Sequence, residues 1–154
     1  KTSLMKDHNA VVPVYTDGSC LPENHGGYSF IVLSPDRKNV YRFQSGYIPN
    51  ATNNIAELEA ILQALIKLPD TNVCIHTDSK YCIDALSYFH KIWEQNNWMT
   101  SQGMPVRNKE LIKNILKLMA GRKVTFQKVK GHSAEPYNTM CDYLAKSAAA
   151  SRGK

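Results

Sequence analysis

No run in these 154 residues approaches the roughly 20 apolar positions that a membrane-spanning helix requires. No membrane partner is expected. The start at Lys1 lacks an apolar core behind a charged beginning, so no secretory signal is visible. Position 1 is not methionine, and the expectation is a piece of a longer protein or a trimmed start. Cysteine is sparse and scattered: Cys20, Cys74, Cys82 and Cys141 form no C-x-x-C pair and no zinc-like spacing. Reduced thiols and an intracellular location follow as expectations, with nucleus, mitochondrion and cytoplasm indistinguishable. Internal repeats and low-complexity segments are lacking too, so a single ordinary domain, expected to be monomeric, accounts for the chain.

What is present has the balance of a globular protein, 43% hydrophobic and 21% charged. The expected organisation is a flexible lead-in over 1–11, a domain over 12–150 and a flexible tail over 151–154. The formal charge of +6 is unevenly placed. Seven basic residues, Lys109, Lys113, Lys117, Arg122, Lys123, Lys128 and Lys130, face Glu110 alone, which leaves the remaining chain neutral. Two readings stand side by side: a polyanion partner, or a solvated helix face opposite Ile112, Ile115, Leu116 and Met119.

Four acidic residues occupy four punctuated contexts. Asp17 follows Tyr15-Thr16 and precedes Gly18-Ser19; Glu57 lies in Asn53-Asn54-Ile55-Ala56-Glu57-Leu58; Asp78 sits between Thr77 and Ser79; Asp142 comes ten residues after His132. Converging carboxylates cannot all stay ionised without cations among them, because like charges raise one another's pKa. Hard oxygen ligands suit Mg²⁺ or Mn²⁺, so metal-dependent phosphoryl transfer is the hypothesis. Each acid also has a plain reading of its own. Asp17 is then a turn residue, Asp78 a companion of a helix cap, Glu57 a favourable charge at a helix start and Asp142 a solvated helix residue.

The coarse pattern places those acids. Val11–Thr16 reads as a strand whose regular part begins near Val14, after Pro13. Tyr28–Leu33 and Val40–Gln44 complete antiparallel hairpins. A helix capped by Asn53 or Asn54 carries the stripe Leu58, Ile61, Leu62 and Leu65 and ends at Pro69, with Glu57 in its first turn beside the buried face. Val73–Thr77 is a strand buried on both faces, which puts Asp78 at a carboxyl end, where open α/β sheets place their sites. Ser79 caps a helix to about Leu86, and Phe89–Val106 is irregular. Asn108–Met119 is helical, Val124–Val129 a strand and Tyr137–Ala150 a helix bearing Asp142. The order indicates an α/β domain with a mixed sheet flanked by helices.

The runs Tyr15-Thr16-Asp17-Gly18-Ser19-Cys20, Thr52-Asn53-Asn54 before Ala56-Glu57-Leu58, Thr77-Asp78-Ser79-Lys80-Tyr81 and Val129-Lys130-Gly131-His132 with Asn138 ahead of Cys141-Asp142 together resemble ribonuclease H of type 1. The resemblance spans Val12 to Ala149. It implies a ribonuclease H-like five-stranded sheet, three antiparallel strands followed by parallel ones. It implies an endonuclease that cuts the RNA strand of an RNA–DNA hybrid, leaving 5′-phosphate and 3′-hydroxyl ends. Asp17, Glu57, Asp78 and Asp142 match the family's ligands for two Mg²⁺ ions, with Mn²⁺ as an alternative. His132 matches a loop histidine that assists proton transfer or product departure. Ser19, Cys20, Asn53 and Asn54 are implicated along the minor groove, where 2′-hydroxyls distinguish RNA. Thr52 and Asn108 are similar to a pocket for a DNA phosphate, and Phe89, Trp93 and Ser101 to a segment along the DNA strand. Trp98 stands between packing and substrate contact.

Two departures bear on grip. Leu21–His25 replaces a more glycine-rich loop, and the aromatic segment is weakly basic, with Lys91, Arg107 and Lys109 against Glu94 and Glu110. Affinity is then expected to lean on Lys113–Lys130 or on a further hybrid-binding or polymerase domain upstream. Alternatives are a non-catalytic binding domain that kept the fold, and the nuclease domain of a reverse transcriptase.

Overall fold

A computed structural model describes residues 10–130 and 135–154. Its sheet contains β1 (Val12–Leu21), β2 (His25–Leu33), β3 (Val40–Ile48), β4 (Val73–Thr77) and β5 (Val124–Lys128) in the order β3-β2-β1-β4-β5. The first three strands are antiparallel, while β1–β4 and β4–β5 are parallel. Helices α1 (Asn53–Lys67) and α4 (Lys109–Met119) cover one face, and α5 (Pro136–Ser151) covers the other. This is the expected mixed sheet.

Strand alternation sorts the core. Val12, Val14, Phe30 and Val32 pack with Leu58, Ile61 and Leu65 of α1 and Ile112 and Ile115 of α4. Tyr15, Ile31 and Leu33 pack with Cys141 and Leu144 of α5. Asp17 shares the parity of Tyr15 and so belongs to the α5 side.

Several boundaries differ from the sequence reading. β1 begins at Val12, includes Pro13 and runs on to Leu21, so Asp17 is a mid-strand residue and not a turn. Pro13 is tolerated for a geometric reason. The Val12 amide donates to the Asn72 carbonyl on the β4 side, which turns the nitrogen of Pro13 toward β2. Pairing with β2 starts only at Val14, so no ladder bond is lost. The cap of α1 is Thr52, whose hydroxyl accepts from the Ile55 amide at 3.1 Å; Asn53 and Asn54 are its first helical residues. Glu57 therefore lies past the first turn, where the helix dipole contributes little. The helix after Ser79 does not stop near Leu86. It passes from α2 (Lys80–Asp84) through one π turn (Ala85–Phe89) into α3 (His90–Gln95).

Arg122 has an assignment that its charge does not reveal. Its guanidinium donates to the carbonyls of Leu65 (3.1 Å), Thr71 (3.1 Å) and Leu68, and its Nε to Leu118 (2.7 Å). It staples the end of α4 to the end of α1 and satisfies carbonyls that a helix terminus leaves over. Burial pushes its pKa down. The side chain belongs to the fold and not to a basic surface.

Candidate active site

Carboxylate oxygens of Asp17, Glu57 and Asp78 lie within 4.8 Å of one another. Each arrives from a different element. Asp17 comes from the middle of the central strand and is 4% exposed. Asp78 follows the last residue of β4, and Ser79, next to it, caps α2 by accepting from the Cys82 amide at 3.1 Å. Glu57 reaches in from α1 across Gly18. A Cβ at Gly18 would sit 2.3 Å from both the Ala56 carbonyl carbon and the Glu57 nitrogen, so only glycine lets α1 come this close. The Gly18 amide also donates to Asp17 Oδ1 at 2.9 Å.

Electrostatics register the crowding. Burial first, then the Asp78 charge, pushes the Asp17 carboxyl up to about 7, with Asp142 adding to the rise. Burial, then Asp17 and Asp78, pushes Glu57 up to about 10, partly offset by the Gly18 amide. Among the described residues the buried side-chain oxygens without a hydrogen-bond partner are Thr16 Oγ1 and Glu57 Oε1. A buried orphan acceptor inside a carboxylate cluster is what a cation would satisfy.

Asp142 stands slightly apart from this triad. Its carboxylate adds to the rise of the Asp17 carboxyl, while Lys146 Nζ holds its Oδ2 at 3.1 Å, one helical turn on. The structure thus brings all four acids together, three tightly and the fourth from α5 at the rim. His132 lies outside the described residues. Asn138, 5% exposed at the start of α5, donates through Nδ2 to the Lys130 carbonyl at 3.4 Å.

The other expected contacts are spread around this centre. Ser19 and Cys20 are half-buried in β1, and the Cys20 thiol donates to the Ala51 carbonyl at 3.3 Å. Thr52, Asn53 and Asn54 are exposed at the start of α1. Asn108 adopts a left-handed conformation (φ 62°) before α4 and donates through Nδ2 to the Tyr81 hydroxyl at 3.0 Å. Phe89 and Trp93 stack with centroids 5.9 Å apart. They line a cavity of about 330 Å³ with Lys80, Tyr81, Asp84 and Ala85. Ser101 is exposed and borders a groove of about 760 Å³ that Trp93 shares. Trp98 is a packing residue: 7% exposed, it joins the core beside Val106, with Lys113 Nζ 5.7 Å from its ring centre.

Sequence reasoning missed Gly18 as a contact and Ser29 altogether. Ser29 is fully buried and pairs with Asp17 across β1–β2. Only the position of Gly18 beside an acid hinted at its role; nothing marked Ser29.

A family model described as RNase H matches residues 9–150. The Ribonuclease H of Chlorobium phaeobacteroides (strain BS1) is 42% identical over 140 residues, 89% of this chain and 94% of that protein. The solved structure of LC9-RNase H1, a type 1 RNase H with the type 2 active-site motif, has a TM-score of 0.80 at 28% identity. That match covers 93% of this chain and 74% of the other. LC11-RNase H1, solved in complex with an RNA/DNA hybrid, has a TM-score of 0.68 at 21% identity, over 91% of this chain and 97% of that one, and likens the fold alone. A mixed sheet with acids gathered over its central strands places the molecule among ribonuclease H folds. The chain belongs to the ribonuclease H family, a family of nucleases.

Proposed function

We propose that this chain is an endonuclease that hydrolyses the RNA strand of RNA–DNA hybrids, leaving 5′-phosphate and 3′-hydroxyl ends. The observation that carries the reading is the gathering of Asp17, Glu57 and Asp78 within 4.8 Å around the orphan Glu57 Oε1. The residues fit divalent cations: Asp17, Glu57, Asp78 and Asp142 would hold two Mg²⁺ ions, or Mn²⁺. When bound there, such ions supply activation of the attacking water and stabilise charge on the leaving oxygen.

The chain's own groups then have separate duties. The four carboxylates would fix the positions of the cations that offset the charge of the scissile phosphate, and burial of Asp17 and Glu57 keeps bulk water from screening that attraction. His132 is assigned to proton transfer or product departure. Ser19, Cys20, Asn53 and Asn54 would read 2′-hydroxyls; because the Cys20 thiol is engaged with Ala51, its contribution is through the backbone. The Thr52 hydroxyl accepts from Ile55, which leaves its O–H to donate to a DNA phosphate alongside the second N–H of the Asn108 amide. Phe89, Trp93 and Ser101 would line the DNA strand's path, where stacked aromatics suit bases and sugars.

The test is cleavage of a labelled hybrid in Mg²⁺, with double-stranded DNA as control. The expected result is RNA-strand cutting, DNA left intact, and Asp17→Asn slower by more than about a hundredfold. Undiminished cutting by purified Asp17→Asn would remove the proposed site. Hybrid binding without turnover would instead support a binding domain.

A further inference from the structure

Helix α5 rests on β2 with almost nothing between the backbones. A Cβ at Gly27 would come within 2.1 Å of the Ala145 carbonyl oxygen and 2.5 Å of the Ala149 nitrogen. Two residues on, at the same face of the strand, stands Ser29. Its Oγ donates to the Cys141 carbonyl at 2.5 Å and lies 3.0 Å from Cys141 Sγ, and that thiol in turn points at the Tyr15 carbonyl at 3.5 Å. Tyr15, Asp17 and Ser29 lie on one face of β1–β2, and Cys141 immediately precedes Asp142. One buried hydroxyl therefore links the strand position opposite Asp17 to the helix residue before Asp142.

We propose that Ser29 is a positioning residue for the metal site: its bond to the Cys141 carbonyl sets how deep Asp142 sits relative to Asp17. This rests on the metal-site reading above. The hydroxyl is not there to satisfy an orphan. The Cys141 carbonyl lies inside α5 and has the amide four residues on as its ordinary partner. Its extra bond to Ser29 fixes the roll and height of the helix at the point where Asp142 leaves it. Among the four acids Asp142 alone sits on α5, so where it stands relative to the triad of Asp17, Glu57 and Asp78 depends on that docking. A divalent ion with near-octahedral demands is sensitive to such displacement.

The experiment compares wild type, Ser29→Ala and Cys141→Ala as intact proteins. Mn²⁺ binding is followed by calorimetry, Tm is recorded, and hybrid cleavage is titrated with Mg²⁺. Ser29→Ala strands no partner, so it folds. The expectation is metal affinity weaker by about tenfold, the scale of losing a group that orients a ligand. kcat should fall at limiting Mg²⁺, with KM for the hybrid unchanged. Cys141→Ala keeps the backbone carbonyl and its bond to Ser29, so it should lose thermal stability while binding Mn²⁺ within about twofold of wild type. Metal binding and kcat like wild type in Ser29→Ala, with only Tm lowered, would overturn the inference. Equal loss of metal binding in both variants would overturn it as well, because general loosening of α5 would then explain the effect. A wild type that binds no Mn²⁺ would remove the metal-site reading and this inference with it.

Discussion

Burial, with the Asp17 and Asp78 charges beside it, pushes the Glu57 carboxyl up to about 10 and so favours its protonated form. Asp17 is raised from 3.8 to about 7 and Glu57 from 4.5 to about 10, so the fold favours the protonated form of both. Their contribution to stability is intact below the unfolded values near 4 and is lost as pH rises through the folded ones. Metal-free protein should therefore lose Tm progressively from about pH 4 upward on account of this pair. If Mg²⁺ binds as proposed it takes the place of the protons, so the Tm difference between Mg²⁺ and EDTA should widen with pH; a difference flat from pH 5 to 9 would contradict it. Glu57→Gln, which fixes the neutral state, should abolish cleavage yet flatten the pH dependence of the EDTA-treated protein. The convergence of Asp17, Glu57 and Asp78 was legible only from the ordered set of runs, since each acid alone also reads as an ordinary turn, cap or helix residue. Ser29 was not: a small residue in a strand looks the same whether it faces a void or bolts a helix.

Elements were legible where periodicity was long. The α1 and α4 stripes and the β4 run, Val73–Thr77, stand where the pattern put them. Boundaries failed where tertiary partners decide. Pro13 argued against a strand, but it survives because its nitrogen faces a side without a partner. Phe89–Val106 read as irregular, yet the chain stays helical to Gln95, with Phe89 and Trp93 one turn apart and stacked on each other. Two substitutions test the supports. Gly18→Ala forces a Cβ into the α1 backbone and should cost about 3 kcal/mol or more, with Mn²⁺ binding lost together with stability. Arg122→Met takes this donor from the Leu68 and Thr71 carbonyls and should lower stability by about 2–4 kcal/mol by denaturant titration. Its KM for hybrid should stay unchanged. A shift in KM with normal stability would return Arg122 to the basic surface.

Across the whole molecule the two faces of the sheet have unequal histories along the chain. The basic stretch read as a polyanion site or a solvated face resolves only in part. Arg122 belongs to the core boundary, Lys113 leans over Trp98, and Lys117 remains exposed on α4. If these two lysines meet phosphates, Lys113→Gln and Lys117→Gln should each reduce the salt-dependence slope of hybrid binding by about one, whereas Arg122→Met should not. An unchanged slope in both lysine variants would mark α4 as merely solvated. The docking of α5 also sets an order of events. The face under α1 and α4 gains its last residues when Val124 and Phe126 of β5 have been made, but Tyr15, Ile31 and Leu33 stay bare until Cys141 and Leu144 arrive. Asp142 comes with them. A chain ending before α5 would hold three of the four acids over a half-covered sheet, and on the reading proposed above the helix that buries the second core also supplies the fourth.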